Sequence, residues 1–124
     1  MADSAFGEVI YAYTREQAIA DGVLVDVSEM AKEAGFKFPV AITAAVHADV
    51  NNIPKGKAYQ SYGGRLWDVL FMSRVAANRS SGGGSVLVDL IMHVGRKSRY
   101  QVKMNVGPGD NGEGVITIMQ PHED

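Results

Sequence analysis

The sequence predicts an α+β fold in which short N-terminal strand and helix units precede a central amphipathic helix and a C-terminal three-stranded antiparallel meander. Two observations lead to this prediction. Apolar residues recur at helical spacing over 65–79, and beyond residue 86 the pattern changes to extended segments between glycine-containing turns. The chain has 124 residues, which is an ordinary size for one domain, so we assign 1–124 to a single domain.

The first N-terminal unit is predicted to be a strand followed by a short helix. Residues 9–13 are β-branched and aromatic, which favours a strand. Thr14 and Gln17 have the spacing of a capping box, in which each side chain bonds the backbone N–H of the other. Gly22 then stands where a left-handed residue commonly ends a helix, so we expect a helix over 15–21.

A second unit of the same kind follows directly. We expect a strand over 23–27, with Ser28 as the N-cap of a helix over 29–34 that Gly35 ends. Before the central helix we expect an extended segment over 40–43 and a helix over 43–50.

The central helix is predicted over 65–79, after a loop over 51–64 that contains proline and paired glycines. Its apolar face is wide, which is typical of a core helix. We expect it to pack on the inner face of the C-terminal sheet, with contacts between Leu66, Trp67, Leu70 and Phe71 on the helix and Tyr100, Val102 and Met104 on the sheet.

The C-terminal region is predicted to form three strands. After a glycine-rich connector over 80–85, segment 86–94 is apolar in both alternating sets apart from one aspartate and one histidine, which predicts a central strand buried on both faces. Segment 99–106 alternates, and a hairpin loop over 107–114 leads to a last strand over 115–119. The residues expected to point inward from the middle strand are Tyr100, Val102, Met104 and Val106.

Several classes of site are not supported by the sequence. The absence of cysteine excludes disulfides, thiolate zinc sites and cysteine nucleophiles, and the three histidines lack metal-ligand spacing. Residues 107–112 match a G-x-G-x-x-G pattern, but a dinucleotide fingerprint must open a helix and here a strand follows. We therefore expect no metal, no cofactor and no enzymatic activity. Because no apolar run reaches the length of a membrane span and no signal peptide is visible, we expect a cytoplasmic protein without membrane contact.

Charge is unevenly distributed along the chain. The net charge is −2, yet ten of the twelve basic residues lie within 37–103 and most acidic residues lie outside it. Internal pairing between the acidic ends and the basic middle is the interpretation we favour, and a charged partner surface is the alternative.

The best candidate binding segment is the loop over 55–65, where bases, tyrosines and glycines alternate ahead of a helix N-terminus. Such a loop can bind an anion with backbone N–H groups and stack bases on aromatic rings. We expect it to be ordered, with Tyr59 or Tyr62 lining a cleft and Arg65 at its rim. The competing interpretation is a solvated loop that covers the core. The candidate residues in this loop are Lys55, Lys57, Tyr59, Tyr62 and Arg65.

A second basic group comes from the outward face of the middle C-terminal strand and the turn before it. Its members are Arg96, Lys97, Arg99 and Lys103. We expect these residues to share one exposed surface with Arg74 or Arg79 if the basic middle faces a partner.

Four stretches of the chain are similar, in the same order, to an uncharacterised family of small phage and plasmid proteins. They are residues 13–27, 34–43, 64–70 and the ending formed by 106–110 with 115–119. The resemblance implies an origin on mobile elements and implies nothing about mechanism.

These observations lead to two hypotheses about function. The first is a non-enzymatic accessory protein of a mobile element that binds a host protein or complex, for example as an anti-CRISPR-like inhibitor of host defence. The alternative is a nucleic-acid or nucleotide-binding module that uses the 55–65 loop and the basic strand. The oligomeric state is left open by both.

Overall fold

The computed structural model describes residues 13–56, 60–79 and 84–123. Residues 9–12 of the predicted strand over 9–13 and residues 80–83 of the predicted connector over 80–85 therefore lie outside the described residues. The helices and strands within the described ranges are α1 (Arg15–Ala20), β1 (Leu24–Asp26), α2 (Ser28–Glu33), β2 (Val40–Thr43), α3 (Ala44–Asn51), α4 (Tyr62–Arg79), β3 (Ser85–Val94), β4 (Lys97–Pro108) and β5 (Gly114–Met119).

The strands form one five-stranded sheet in the order β1-β2-β5-β4-β3. The predicted α+β class and the antiparallel meander β3-β4-β5 are confirmed. The sequence did not predict that β5 would also pair in parallel with β2, with Val40 opposite Ile116 and Ile42 opposite Ile118. This pairing joins the N-terminal units to the meander in a single sheet.

The main core lies between the sheet and the helices α2, α3 and α4. Leu66 and Leu70 of α4 are buried against the sheet together with Val102 and Met104 of β4, as predicted, and Tyr100 is partly buried beside them. The opposite face carries α1, whose Arg15 guanidinium donates to Thr117 Oγ1 at 2.8 Å and to the Ile116 carbonyl at 2.7 Å. The sheet is thus covered on both faces near β2 and β5.

The predicted local signals of α1 are confirmed. Thr14 and Gln17 form the complete capping box, and Gly22 has a φ of 79° just after the helix. The carboxylate of Asp110, in the β4–β5 hairpin loop, also accepts from the backbone N–H groups of Arg15 at 2.9 Å and Glu16 at 3.1 Å. The segment with the G-x-G-x-x-G pattern is therefore the predicted hairpin loop, and one of its residues caps α1.

The prediction that Ser28 caps α2 is wrong. Val27 is the N-cap residue and makes no side-chain cap, whereas Ser28 lies in the first turn of the helix. The Ser28 hydroxyl donates to Asp26 Oδ1 at 2.6 Å and accepts from the Val40 backbone N–H at 3.0 Å. Ser28 therefore ties the β1–α2 junction to β2.

The prediction of a central, doubly buried strand over 86–94 is also wrong. β3 is an edge strand of the sheet, and only alternate residues of it are covered. Leu87 and Ile91 are 58% and 78% exposed. Both alternating sets of residues in β3 are apolar because the strand has a row of exposed apolar side chains as well as a buried row. Sequence periodicity cannot distinguish such an exposed row from a buried one.

Two further side chains expected in the core are exposed. Phe71 is 48% exposed because α4 turns its Leu66, Val69 and Leu70 side toward the sheet and leaves Phe71 beside the edge of β3. Val106 is 40% exposed because Gly84, the residue opposite it across the strand pair, has no side chain to cover the valine. The Val106 backbone N–H donates to the Gly84 carbonyl. Trp67 is half-buried, which agrees with the prediction only in part.

Candidate functional site

The 55–65 loop is shorter than predicted because α4 begins at Tyr62 and not at Arg65. Ser61 organises the start of the helix: its hydroxyl accepts from the Gly64 N–H at 3.0 Å, and its carbonyl accepts from the Arg65 N–H at 3.0 Å. These two donors are satisfied internally, so they do not form the anion cradle that we expected. Lys55 is exposed, and Lys57 and Tyr59 lie outside the described residues.

Arg65 does not stand at the rim of a cleft with a free guanidinium, contrary to prediction. It is 4% exposed, and its guanidinium donates to the backbone carbonyls of Val50 at 2.7 Å and Asp49 at 2.9 Å. A longer bond of 3.3 Å reaches the Asn52 carbonyl, and Gln60 Oε1 accepts at 3.1 Å. The side chain therefore caps the C-terminus of α3, where carbonyls lack helical partners and favour a cation.

A polar network continues from this cap into the sheet. The Asp49 carboxylate accepts from the Tyr100 hydroxyl at 2.7 Å and from the Gln120 amide at 2.8 Å, both at Oδ2. Burial, together with the hydrogen bond to Asp49, raises the pKa of Tyr100 well above its ordinary value. We call these four residues, Asp49, Arg65, Tyr100 and Gln120, the polar junction. They lock α3 between α4 and the sheet.

Tyr62 lines a groove, as predicted for one of the two loop tyrosines. The groove has a volume of about 540 Å³ and is also lined by Asp26, Glu29, Met30 and His47. The Tyr62 hydroxyl lies 2.8 Å from His47 Nδ1, with the two rings edge to face. Burial raises the pKa of Tyr62. This histidine–tyrosine pair can orient a polar group. The groove also contains Asp26 and Glu29, and their negative charge disfavours the anionic ligand predicted for this loop.

The basic group of the β3–β4 region is only partly assembled on one surface. Arg96, Lys97 and Arg99 are exposed at the turn and the first residues of β4. Lys103 is half-buried, and its ammonium donates to the Glu123 carbonyl near the C-terminus. Arg74 donates through Nε to the Gly35 carbonyl at 2.9 Å, so it is committed to the α2–α4 contact.

An open apolar surface lies where α4 meets the edge strand β3. Trp67 and Phe71 stack with their ring centroids 6.4 Å apart and 21° between their planes. Ile91 lines a groove of about 690 Å³ with Phe71 and a second groove of about 520 Å³ with Trp67. Leu87 borders a third groove farther along the same strand. We call these four residues, Trp67, Phe71, Leu87 and Ile91, the edge surface.

The sequence contained a signal for this surface that we interpreted in the opposite sense. Apolar residues in both alternating sets of β3 predict either a doubly buried strand or an edge strand with an exposed apolar row. The position of β3 at one end of the sheet order decides between them.

Two classes of feature are not found in the described part of the chain. Residues 13–56, 60–79 and 84–123 contain no group of three or more His, Asp or Glu side chains able to hold a metal ion. None of the helices in these ranges has the length and hydropathy of a membrane-spanning segment.

Comparison with known proteins gives one match. No curated protein and no solved structure is similar to the chain at a significant level. A family model does match, over residues 3–124, which is nearly the whole sequence. The chain therefore belongs to the family of unknown function DUF6573.

Proposed function

We propose that this protein is a non-enzymatic binding protein that recognises another protein through the edge surface. The observation that carries the proposal is that Trp67 and Phe71 on α4 and Leu87 and Ile91 on the outer face of β3 line adjoining grooves along the edge of that strand. Exposed apolar patches of this kind, rich in aromatic residues, are typical of protein interfaces.

The hydrogen bonds that two of the basic residues make within the protein favour a protein over a nucleic acid as partner. Arg65 and Lys103 are engaged in internal hydrogen bonds to carbonyl groups, so they are not available for phosphates. Arg96, Lys97 and Arg99 remain exposed at the turn beside β3, and they support nucleic-acid binding as the second candidate function.

The resemblance to small phage and plasmid proteins supports a more specific version of the proposal. On that basis the partner is a host protein or complex in the cytoplasm, and the protein acts as an accessory factor of a mobile element. An inhibitor of a host defence system, such as an anti-CRISPR protein, is one function of this type.

A pair of matched double variants tests the edge surface. Phe71→Ser with Ile91→Thr removes its centre, and Phe38→Ser with Val23→Thr alters exposed apolar residues elsewhere. Phe71 and Phe38 are each 48% exposed, whereas Ile91 is 78% and Val23 50% exposed. Both proteins are first checked for intact folding by circular dichroism, and then used with the parent protein as bait for cross-linking in host lysate. We expect the edge variant alone to lose its cross-linked partner, and equal capture by all three proteins contradicts the proposal.

The nucleic-acid alternative has its own test. Parent protein and a triple variant, Arg96→Ala, Lys97→Ala and Arg99→Ala, are eluted from a heparin column with a salt gradient. A protein-binding function predicts weak retention that the triple variant hardly changes. Strong retention that the triple variant abolishes supports the nucleic-acid function instead, because phosphate contacts are lost as salt rises.

A further inference from the structure

Within the ranges that the structure describes, only β4 pairs with β3, so the other edge of β3 exposes backbone hydrogen-bonding groups at alternate residues. The Val106 N–H donates to the Gly84 carbonyl at 2.9 Å, and the same register continues to Ile91 opposite Arg99. Since hydrogen-bonded and non-hydrogen-bonded pairs alternate in an antiparallel ladder, even-numbered residues of β3 bond to β4. The odd-numbered residues direct their N–H and C=O groups to the free edge. They are Ser85, Leu87, Asp89 and Ile91.

This edge has few of the features that protect edge strands from pairing. Natural edges are usually short, or carry lysine, proline or a bulge that prevents another strand from adding to them. β3 has ten residues, contains no proline or lysine, and bears a single formal charge, at Asp89. Its register is regular from Ser85 to Ile91 and shifts only between Ile91 and Val94.

Asp89 occupies the centre of a symmetric pattern. Leu87 and Ile91 flank it at equal spacing on the outer face, and all three side chains are exposed. If two copies paired antiparallel with Leu87 against Ile91 of the second copy, the two Asp89 carboxylates would face each other directly. Like charges in directly opposed positions destabilise a sheet, so the pattern opposes self-pairing.

The same geometry is complementary to a strand of opposite charge. We propose that β3 pairs with an extended segment of the partner that carries an apolar, a basic and an apolar residue at alternate positions. The basic residue lies opposite Asp89, and the apolar residues lie against Leu87 and Ile91. The intervening side chains of the segment enter the groove beside Phe71 and Met72. This inference rests on the proposed function and specifies the chemistry of the partner.

The protein itself provides the probe for this proposal. In the variant Asp89→Lys, β3 has the apolar–basic–apolar pattern that the proposal assigns to the partner. Parent protein and Asp89→Lys variant are each expected to be monomeric alone, because like charges meet at the centre of the pair. An equimolar mixture is expected to form a heterodimer by analytical ultracentrifugation, about tenfold tighter than either self-association, since repulsion is replaced by attraction at close range.

The matched control is Asp68→Lys, which makes the same charge change in the same groove but on α4 rather than on the strand. Its mixture with the parent protein is expected to remain monomeric. Amide hydrogen exchange gives a second, local measurement: in the mixture with Asp89→Lys, the N–H groups of Leu87 and Ile91 in the parent protein gain protection while that of Leu90 does not change.

Two results overturn the inference: no association in the Asp89→Lys mixture, or equal association in the Asp68→Lys mixture. The outcome is distinguishable from failure of the proposed function. If lysate cross-linking still depends on Phe71 and Ile91 while the mixture stays monomeric, the edge surface binds a partner by a mode other than strand pairing.

Discussion

The two sides of α4 differ in how many of their side chains have partners within the protein. At the polar junction, the Arg65 guanidinium donates to the carbonyls at the end of α3, and the Asp49 carboxylate accepts from Tyr100 and Gln120. At the edge surface, nearly two helical turns farther along α4, Phe71 is exposed beside the edge strand β3. The polar groups are thus internal and paired, whereas a set of apolar groups faces outward.

This contrast shows that residue type alone is a poor guide to which side chains are buried and which are exposed. Arg65, the basic residue predicted to stand at the rim of a cleft, caps the end of α3, and Phe71, the aromatic residue predicted in the core, is exposed. Buried polar groups need partners, so their commitments are strong and local. A contiguous group of exposed apolar side chains, by contrast, has no such internal partners, and this supports the proposed protein interface.

Removing the guanidinium of Arg65 should have the largest effect on stability. In Arg65→Ala, several α3 carbonyls lose their donor, and we expect the free energy of unfolding to fall by ~3–5 kcal/mol, given the strength of charged hydrogen bonds and the penalty for unsatisfied groups. Urea denaturation measures this change. The control is Gln60→Ala, which removes only the side-chain acceptor of the Arg65 guanidinium and should cost under ~1 kcal/mol. A similar loss in both variants would show that the carbonyl contacts are unimportant.

Adjacent residues of α4 provide the sharpest comparison between the two sides. Leu70 is 0% exposed and Phe71 is 48% exposed. We expect Leu70→Ala to cost ~2–5 kcal/mol because it leaves a cavity in the core. Phe71→Ala should cost well under half of that, although it removes more atoms. Thermal unfolding of both variants tests this ranking, and a reversed order would place Phe71 in the core.

The polar junction should make stability sensitive to alkaline pH. Because burial raises the folded-state pKa of Tyr100 above its unfolded value of about 10, the folded protein holds the phenolic proton more tightly. The associated stability is fully present below pH ~10 and declines as the pH rises above it. Tyr100→Phe should cost about 1 kcal/mol at neutral pH and should flatten the decline. An unchanged slope in this variant would assign the alkaline sensitivity to other groups.

The smallest effect is expected at Ser73, which lies on the buried side of α4. It is 0% exposed, and its hydroxyl has no hydrogen-bond partner among the described residues. Ser73→Ala removes an unsatisfied polar atom and adds a better helix former, so we expect a gain of ~0.5–1 kcal/mol. Differential scanning calorimetry should detect a raised melting temperature. A clear loss of stability would mean that the hydroxyl has a partner in solution.

Much of the local structure could be predicted because it depends on residues close together in the chain. Thr14 and Gln17 gave the start of α1, Gly22 its end, and the alternation of Val102 and Met104 their place on the inner face of β4. Each of these rests on capping, backbone conformation or side-chain period, which act over a few residues.

The candidate site was harder to predict because its residues are defined by distant partners. Tyr62 was correctly expected to line a groove, but His47, its partner there, lies fifteen positions away and gave no motif. Ser28 has the character of a cap, yet it bonds Val40 across a strand. Such contacts exist only after the elements have packed.

The order and type of the helices and strands between residues 15 and 119, and the absence of any cysteine chemistry, follow from residue identities alone, since propensity and periodicity are local properties. Residue identities alone do not determine the parallel pairing of β2 with β5, the burial of Arg65 or the edge position of β3. These features depend on which strand lies beside which, and that is set by packing free energy summed over the whole core. For this reason an identical apolar pattern describes a strand buried on both faces in one sheet position and an edge strand with exposed apolar side chains in another.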